Sequence, residues 1–409
     1  MPATVIVIGG GASGLAAALA AARCRAKVIL LEKGRALGRK VLASGGGRCN
    51  LGNRDIRPER YHGGAPAFAA DVLSGFALLQ ARSYFEGLGL MLLEEPDGRI
   101  FPRCGRSRAV VDLFQAALNE LGADIRLNAG VKKIERSAEG FSAVLEDGGR
   151  LRADSVVLCC GGAASPQLGG GEDGYALARS LGHSLTPVTP ALVPLSTKEG
   201  WVRRLDGIRA EVSLRAECGR IPASEAHGEL LFTDYGVSGP AALDLSREIV
   251  RALPERKVFC AVNLFPEFTE DRLSRFLEER AARLCHRSLK GFLTGMLPDK
   301  MPAVFLDHYH LSAHETTDAL GEAGLRRLCK ALREWRFEVA GPRPWKEAMV
   351  SAGGVDVSEV DPRTLESKKG PRLFLAGELL DVDGDSGGFN LHFAWASGLA
   401  AGRSAATRI

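Results

Sequence analysis

The sequence predicts an α/β fold that begins with a strand, a glycine-rich turn and a helix. The β-branched run at residues 5–8 (VIVI) leads directly into residues 9–14 (GGGASG), and residues 15–22 continue as an alanine-rich helical pattern. A second apolar run, at residues 27–31, ends at Glu32. This order is the fingerprint of a Rossmann-like dinucleotide-binding domain, in which the helix N-terminus faces a pyrophosphate.

The glycines of this turn have separate roles in the fingerprint. Gly9 permits a tight turn, Gly11 leaves room for the pyrophosphate, and Gly14 lets the helix pack closely on the strand. Glu32 stands where a carboxylate accepts the hydroxyl groups of an adenosine ribose. An acidic residue there favours a free 2′-hydroxyl, which suits both FAD and NAD, so this segment does not distinguish the two.

The middle of the chain predicts two inserted subdomains, one β-rich and barrel-like and one helical. Short β-like runs at residues 191–194, 212–216 and 230–233 are separated by turn residues. Between about residues 269 and 337, apolar side chains recur at helical spacing. The predicted segments are a first part of the nucleotide-binding domain at 1–189, a β-rich subdomain at 190–265, a helical subdomain at 266–346 and the second nucleotide-binding part at 347–409.

Composition indicates an ordinary globular protein. The 409 residues are 45% hydrophobic and 25% charged, with a net charge of +4, which is too balanced to argue for nucleic-acid binding. The nine cysteines show no paired CxxC spacing, and Cys159 and Cys160 are adjacent in an apolar run that predicts a buried strand. We therefore expect reduced thiols, a cytoplasmic location and no metal site. No uncharged apolar stretch reaches the ~18 residues of a membrane span.

Two further glycine-rich segments predict contact with a flat ring. Residues 38–50 (GRKVLASGGGRCN) contain three consecutive glycines, which allow backbone to lie against a planar group. Near the C-terminus, the apolar run 373–376 is followed by Gly377-Glu378, and residues 383–390 (DGDSGGFN) open a helix. This is a second helix start that faces a ligand.

These segments identify a family resemblance. The chain resembles the BaiN/RdsA-like (YhiN-type) flavoproteins, within the FAD enzymes related to fumarate reductase and glutathione reductase. The matching motifs are residues 38–50, 232–243 (FTDYGVSGPAAL) and 376–398 (AGELLDVDGDSGGFNLHFAWASG), with weaker matches at 101–107 and 161–183. The resemblance implies FAD as the cofactor and NAD(P)H as a transient electron donor.

The resemblance also implies the roles of several residues. Glu378 would contact the ribityl chain of FAD, and the helix start at 387–390 would face the flavin N1 and O2 edge, where reduction places negative charge. Val131 corresponds to a backbone contact with adenine, although a plain core valine is nearly as good an interpretation. The predicted cofactor-binding residues are Gly9, Gly11, Ala12, Ser13, Gly14, Glu32, Lys33, Arg39, Lys40, Gly46, Gly47, Val131, Gly161, Gly162, Gly377, Glu378, Asp383, Gly387, Gly388, Phe389, Asn390 and Leu391.

Hydride chemistry belongs to the flavin N5, so the protein needs at most one proton donor or acceptor beside it. The candidates are Cys49, Asn50 and His392. Cys49 is alternatively a small buried residue, and His392 a structural one. The family usually has histidine where this chain has Asp234, and glutamine where it has His392, so the acceptor of one member is not carried over to this chain.

A second GxGxxG match, at residues 169–174, does not predict a second dinucleotide domain. No strand pattern precedes it, since Pro166 and a polar loop stand there. It resembles instead the Gly-Asp-Gly helix start of the flavoprotein group. A nicotinamide nucleotide would therefore bind only transiently, against the flavin.

The leading hypothesis is an FAD-dependent oxidoreductase in which NAD(P)H charges the flavin and the flavin reduces an activated C=C bond of a small-molecule or nucleoside acceptor. The alternatives are a flavin amine oxidase and a ribosomal RNA dihydrouridine synthase-like or RNA-associated flavoprotein. The RNA hypothesis depends on a basic stripe in the helical part, which can also be read as a solvated helix face. The stripe comprises Arg326, Arg327, Lys330, Arg333 and Arg336.

Overall fold

A computed structural model describes residues 2–64, 66–219 and 223–407. The chain divides into two units. The first comprises the chain up to Pro190 and from Met349 onward, and the second is Ala191–Ala348.

A five-stranded parallel sheet forms the centre of the first unit. Its strands lie in the order Leu373–Leu375, Ser155–Leu158, Thr4–Ile8, Lys27–Leu31 and Asp124–Arg126. The first three of these strands are buried almost throughout, which is typical of parallel sheets covered on both faces. This explains why their sequences are continuous apolar runs without alternation.

Two helices from opposite ends of the chain pack against each other beside this sheet. The N-terminal helix is Ala12–Arg23 and the C-terminal helix is Phe389–Ala406. A Cβ atom at Gly398 would lie 2.3 Å from the carbonyl oxygen of Ser13, and one at Gly402 would lie 2.1 Å from that of Ala17. Glycine is therefore required at both positions for the two backbones to approach.

The other strands of the first unit form small antiparallel sheets. One consists of Val131–Ser137, Gly140–Leu145 and Arg150–Ala153, a second of Gly52–Asn53, Arg99–Pro102 and Leu92–Glu94, and a third of Tyr61–Gly63 and Val382–Gly384. The remaining α-helices are Arg39–Gly47, Pro66–Ser74, Leu78–Glu86, Ser107–Glu120 and Asp173–Ser180. The strands Thr189–Ala191 and Val350–Ala352 lie where the chain leaves and re-enters the unit.

The second unit is a closed antiparallel barrel of six strands with helices. The strand order is Leu195–Thr197, Gly236–Ser238, Ser224–Phe232, Arg209–Glu217, Phe259–Asn263 and Trp335–Pro342. The helices are Gly200–Arg204, Pro240–Ala252, Glu270–Leu284, Leu289–Leu293, Met301–His308 and Gly321–Arg333. The last four helices precede the sixth strand, so the chain returns from them to close the barrel.

The predicted fold class is confirmed: an α/β Rossmann-like domain carries an inserted β-barrel and helices. One predicted strand is wrong. Residues 191–194 lie mostly in the connection between two strands, because Leu192 has a φ of 45°, which breaks extended backbone. The boundaries of the four predicted segments stay predictions.

All nine cysteines are free thiols. Across the described ranges, none of the helices combines the length and hydropathy that spanning a membrane requires.

Candidate functional site

The carboxyl ends of the parallel strands bring the predicted cofactor-binding segments to one edge of the sheet. Backbone hydrogen bonds connect the residues that follow neighbouring strands: Gly9 N–H donates to Leu31 (2.7 Å) and Cys159 N–H donates to Ile8 (2.8 Å). Ala376 N–H donates to Leu158 in the same way (2.9 Å). Ligands of open α/β sheets bind at this edge.

The geometry of the first turn fits the predicted roles of its glycines. Gly9 has a φ of 106°, and a Cβ atom at Gly14 would lie 1.7 Å from the Gly9 carbonyl oxygen. By contrast, a Cβ built at Gly11 would meet no described atom within 4 Å other than those of its own chain neighbours. Gly9 and Gly14 are needed for the turn itself, whereas Gly11 faces open space that a pyrophosphate can use.

The N-terminal helix presents its first turn to this space. Gly11 is its N-cap, and no side chain in the described residues caps it. The N–H groups of Ala12, Ser13 and Gly14 are therefore available to phosphate oxygens, and the positive end of the helix dipole adds to their attraction.

Glu32 is fixed by backbone amides on both of its carboxylate oxygens. Gly10 N–H donates to one oxygen and Gly34 N–H to the other, each at 2.7 Å. Each oxygen keeps a second lone pair, so the carboxylate can still accept ribose hydroxyl groups. The Glu32 carbonyl accepts from Ala129 N–H (2.9 Å), and this contact brings the segment before Val131 alongside Glu32.

Two basic residues tie the rim of the site to the segment at 161–174. Lys33 pairs with Asp173 at 2.6 Å, and Arg39 donates to the carbonyl of Gln167 at 2.5 Å. The loop before Asp173 contains the short helix Pro166–Leu168 rather than a strand. The second GxGxxG match therefore lacks the strand that a dinucleotide fingerprint requires, as expected from the sequence.

Lys40 and Glu378 form an ion pair of 2.6 Å, with side chains 29% and 18% exposed. The other carboxylate oxygen of Glu378 accepts from Ser351 N–H at 2.9 Å. A Cβ atom at Gly162 would lie 2.7 Å from that oxygen, so the glycine is needed for the close approach. The Glu378 carboxylate is a fixed hydrogen-bond acceptor and the Lys40 ammonium beside it is a flexible donor. Together they can bind the hydroxyl groups of a polyhydroxyl chain.

The glycine-rich segment bends sharply where a flat ring was predicted to lie. Gly45, Gly46 and Gly47 all have positive φ, and a Cβ at Gly46 or Gly47 would meet no described atom within 4 Å. Cys49 also has a positive φ, of 64°, and is fully buried. Burial raises the pKa of the Cys49 thiol to about 12, so the thiol keeps its proton at neutral pH.

The start of the C-terminal helix is shaped by hydrogen bonds from Asn390. Its side chain donates to the Gly384 carbonyl (2.7 Å) and accepts from Gly384 N–H (2.8 Å), closing the loop in front of the helix. Asp383 is buried in the strand Val382–Gly384, and the Phe389 carbonyl accepts from the Tyr61 hydroxyl at 3.2 Å. Gly388 is the N-cap, and no described side chain caps this helix either.

His392 lies one turn inside this helix and is 1% exposed. Its Nε2 lies 2.8 Å from the carbonyl of Phe76, so Nε2 carries the proton and donates. Burial lowers the pKa of His392 to about 4, and the ring is neutral at ordinary pH. The proton of this histidine is therefore engaged by a backbone carbonyl.

Asn50 lies between the glycine-rich segment and the start of the C-terminal helix. It is 8% exposed, and its Oδ1 has no hydrogen-bond partner in the described residues. A buried acceptor without a donor is uncommon in native proteins. The open space at Gly11, the two helix starts and this acceptor fit a dinucleotide that carries a donor-bearing ring, which FAD does.

Sequence reasoning missed two serines that support the site. Ser351 holds Glu378 through its N–H and accepts from Ala164 N–H through its hydroxyl (3.0 Å). Ser397 accepts from Gly377 N–H at 3.0 Å. Single serines in apolar surroundings give no spacing signal, although Ser351 precedes the glycine pair 353–354, which marks a close turn.

The predicted basic stripe is not one helix face. The helix ends at Arg333, and Arg336 lies in the barrel strand Trp335–Pro342, where it pairs with Glu217. Arg333 donates to the Phe268 carbonyl at 2.7 Å, and Arg326 pairs with Glu322 at 2.9 Å. The helical pattern was extended too far because Trp335 and Phe337 are apolar at positions compatible with either period.

Comparison with known proteins gives matches over almost the full chain. The family model described as HI0933-like protein Rossmann domain matches residues 3–404. The 3-dehydro-bile acid delta(4,6)-reductase of Clostridium scindens is 38% identical over 405 residues, covering 98% of both chains. The ribosomal RNA dihydrouridine synthase of Escherichia coli is 30% identical over 396 residues, covering 96% of this chain and 95% of that one.

Solved structures of flavoenzymes share the fold. A flavocytochrome c3 fumarate reductase matches with a TM-score of 0.50 and 18% identity, over 99% of this chain and 78% of that one. A 3-ketosteroid delta1-dehydrogenase from Sterolibacterium denitrificans matches with a TM-score of 0.51 and 14% identity, over 98% and 99% of the two chains.

Proposed function

The chain belongs to the HI0933-like family of Rossmann-domain proteins, and from this membership we propose that it reduces a carbon–carbon double bond conjugated to a carbonyl group. The sequence motifs had predicted this family. The chain is an FAD-dependent oxidoreductase. The observation that carries the proposal is the full-length relative at 38% identity, whose name specifies reduction of the delta(4,6) double bonds of a 3-dehydro bile acid.

The chain supplies a set of groups that hold FAD along the sheet edge. The N-terminal helix and Gly11 would bind the pyrophosphate, Glu32 the adenosine ribose, and Glu378 with Lys40 the ribityl hydroxyls. When bound, FAD supplies hydride transfer through its isoalloxazine ring. The start of the C-terminal helix stabilises negative charge on the ring by a few tenths to ~2 kcal/mol.

Reduction of a conjugated C=C bond also requires a proton at the second carbon. Of the predicted candidates, Cys49 keeps its proton at neutral pH, but full burial also makes its thiol a weaker acid than an ordinary one, so it would donate only where substrate binding opens the segment around it. The proton of His392 is held by the Phe76 carbonyl, which supports a positioning role for that ring. We assign Cys49 as the proton donor to be tested first.

We further propose that NAD(P)H is the electron donor and that it binds transiently. The loop at 169–174 lacks a preceding strand, so it does not support a second dinucleotide domain. A cytoplasmic location, which the nine free thiols support, would supply reduced nicotinamide nucleotides.

Reduction of a uridine in ribosomal RNA is the second candidate, because two relatives carry the name ribosomal RNA dihydrouridine synthase. The uracil C5=C6 bond is likewise conjugated to a carbonyl, so both candidates share one chemistry. The charge of the second unit favours a small-molecule enone over RNA as the acceptor. Residues 191–348 contain 24 lysines and arginines against 23 aspartates and glutamates, which gives little electrostatic attraction to a polyanion.

The proposal is tested by mixing the purified protein anaerobically with NADH or NADPH and following the loss of the visible absorbance of the oxidised flavin. A 3-oxo-4-ene steroid or a uridine-containing RNA is then added without oxygen. We expect bleaching by one nucleotide and reoxidation by the enone. Reoxidation by RNA alone would establish the second candidate. A flavin bleached by neither nucleotide would refute the NAD(P)H-charged mechanism and bring amine oxidation or a binding role to first place.

A further inference from the structure

The unpartnered amide oxygen of Asn50 identifies a cofactor contact that the catalytic scheme does not use. We propose that Asn50 Oδ1 accepts a hydrogen bond from N3–H of the flavin and so fixes the pyrimidine end of the ring. Asn50 would then be a cofactor-binding residue rather than a proton donor to the substrate. This inference rests on the proposed binding of FAD, but not on the identity of the acceptor.

The backbone on both sides of Asn50 is fixed, so its side chain has little freedom to find another partner. Cys49 N–H donates to the Ser44 carbonyl at 3.0 Å, and Leu51 N–H donates to Ile100 at 2.8 Å. The positive φ of Cys49 reverses the chain immediately before Asn50. The amide position is therefore determined by its neighbours before any ligand is bound.

The amide group lies against two segments that frame the predicted ring site. A Cβ atom at Gly388, the N-cap of the C-terminal helix, would lie only 2.7 Å from Asn50 Oδ1. A Cβ atom at Gly45 would lie 3.0 Å from the backbone nitrogen of Asn50. Glycine at both positions leaves the amide directly between the glycine-rich segment and the helix start.

The chemistry of this arrangement matches one edge of an isoalloxazine ring. N3–H is the N–H donor of the oxidised ring, and the carbonyl oxygens O2 and O4 on either side of it accept. The helix start offers N–H groups, which suit O2, whereas Asn50 Oδ1 offers an acceptor beside them. A helix start alone would bind any anion, but the added acceptor selects a ring with an adjacent donor.

Asn53 supplies a matched control. It is equally buried and close in sequence, but both ends of its amide have partners: Nδ2 donates to the Gly387 carbonyl at 3.0 Å, and Oδ1 accepts from Asp55 N–H at 2.9 Å. Substitution of Asn53 weakens the loop before the C-terminal helix without removing an acceptor meant for the cofactor.

The experiment compares the binding of FAD and of FAD methylated at N3 to the apoprotein, by quenching of flavin fluorescence. The methyl group removes the donor. We expect the wild-type protein to prefer FAD by about tenfold or more, as for one buried hydrogen bond left unmade. Asn50→Ala and Asn50→Leu should bind both flavins within about twofold of each other. Asn50→Asp keeps an acceptor oxygen and should retain the preference, as should Asn53→Ala.

The two proposals fail in different ways. A wild-type protein that binds FAD but shows no preference, or an Asn50→Ala variant that keeps the full preference, overturns the role of Asn50 and leaves FAD binding intact. A wild-type protein that binds neither flavin overturns both. Circular dichroism of each apoprotein shows whether a variant is folded, and Asn50→Leu replaces Asn50→Ala if the smaller side chain destabilises the chain.

Discussion

Gly11 and Gly14 belong to one turn, yet the structure assigns opposite consequences to the same substitution at these two positions. At Gly14, a new Cβ would lie 1.7 Å from the carbonyl oxygen of Gly9. At Gly11, a new Cβ would meet no described atom within 4 Å, and the backbone there has φ −80° and ψ −167°, which alanine adopts freely.

The magnitudes follow from these distances. A carbon and an oxygen require about 3.3 Å, so Gly14→Ala forces the helix from the strand by more than ~1 Å, and overpacking of this kind costs typically ~1–3 kcal/mol of unfolding free energy. Gly11→Ala costs the apoprotein at most ~1 kcal/mol, the difference between the two residues at an N-cap. Its methyl group would instead occupy the space assigned to the pyrophosphate, so FAD affinity should fall by at least ~10-fold.

The assay measures both quantities on the same samples. Urea denaturation of the apoproteins gives the unfolding free energies, and titration with FAD gives the dissociation constants. We expect Gly11→Ala to lose affinity while retaining stability, and Gly14→Ala to lose stability first. Wild-type FAD affinity in Gly11→Ala would refute the placement of the pyrophosphate over this turn.

Three further predictions concern single groups. Burial lowers the pKa of His392 from 6.5 to about 4, so the unfolded chain takes up a proton first as the pH falls, and the free energy of unfolding decreases from pH 6.5 towards pH 4 by up to ~1.4 kcal/mol per pH unit. Urea denaturation of the wild type and of His392→Gln should show that the unfolding free energy of the variant depends less steeply on pH. Equal slopes would contradict the neutral buried ring. Native protein treated with iodoacetamide should be alkylated at the exposed Cys24, Cys104 and Cys285 and not at the buried Cys49, and peptide mass spectrometry measures this. Early modification of Cys49 would mean that the glycine-rich segment 38–50 opens. Cys49→Ala should slow reoxidation of the reduced flavin by an enone by ~10²-fold or more while leaving reduction of the flavin by NAD(P)H unchanged. Cys159→Ala, which removes another buried thiol, is the control. An unchanged rate of reoxidation in Cys49→Ala would exclude Cys49 as the proton donor.

Local patterns predicted the nucleotide-binding half of the structure well, because its signals lie within a few residues of each other. The turn at residues 9–14 and the carboxylate of Glu32 form one strand–turn–helix–strand unit, and its contacts follow from that order. Closure of the barrel was not predictable in the same way. Its first strand pairs with its last through Leu195 and Pro342, and no local pattern connects positions so far apart.

The hydrogen bonds of side chains at the site could not be predicted from the sequence, and the roles of these residues towards a cofactor stay predictions. Asn390 is at the expected helix start, and its amide closes the loop through Gly384, a contact that no sequence pattern indicates. Ser351 was missed because a serine that bonds a backbone amide and orders a carboxylate leaves no pattern in sequence. Hydrogen bonds between distant residues decide these roles, and those partners become known only when the chain is folded.

The packing of the N-terminal helix against Gly398 and Gly402 of the C-terminal helix has a consequence for the synthesis of the protein. Residues 12–23 are synthesised long before Gly398 and Gly402, which form part of the surface that covers them. The edge strand Leu373–Leu375 also follows them late in the chain. The contiguous segment Ala191–Ala348 can form its barrel before these later residues are made, whereas the nucleotide-binding unit cannot be completed without them. Cofactor loading is therefore a late event, and nascent chains that stall before residue 373 would expose an unfinished sheet to chaperones and proteases.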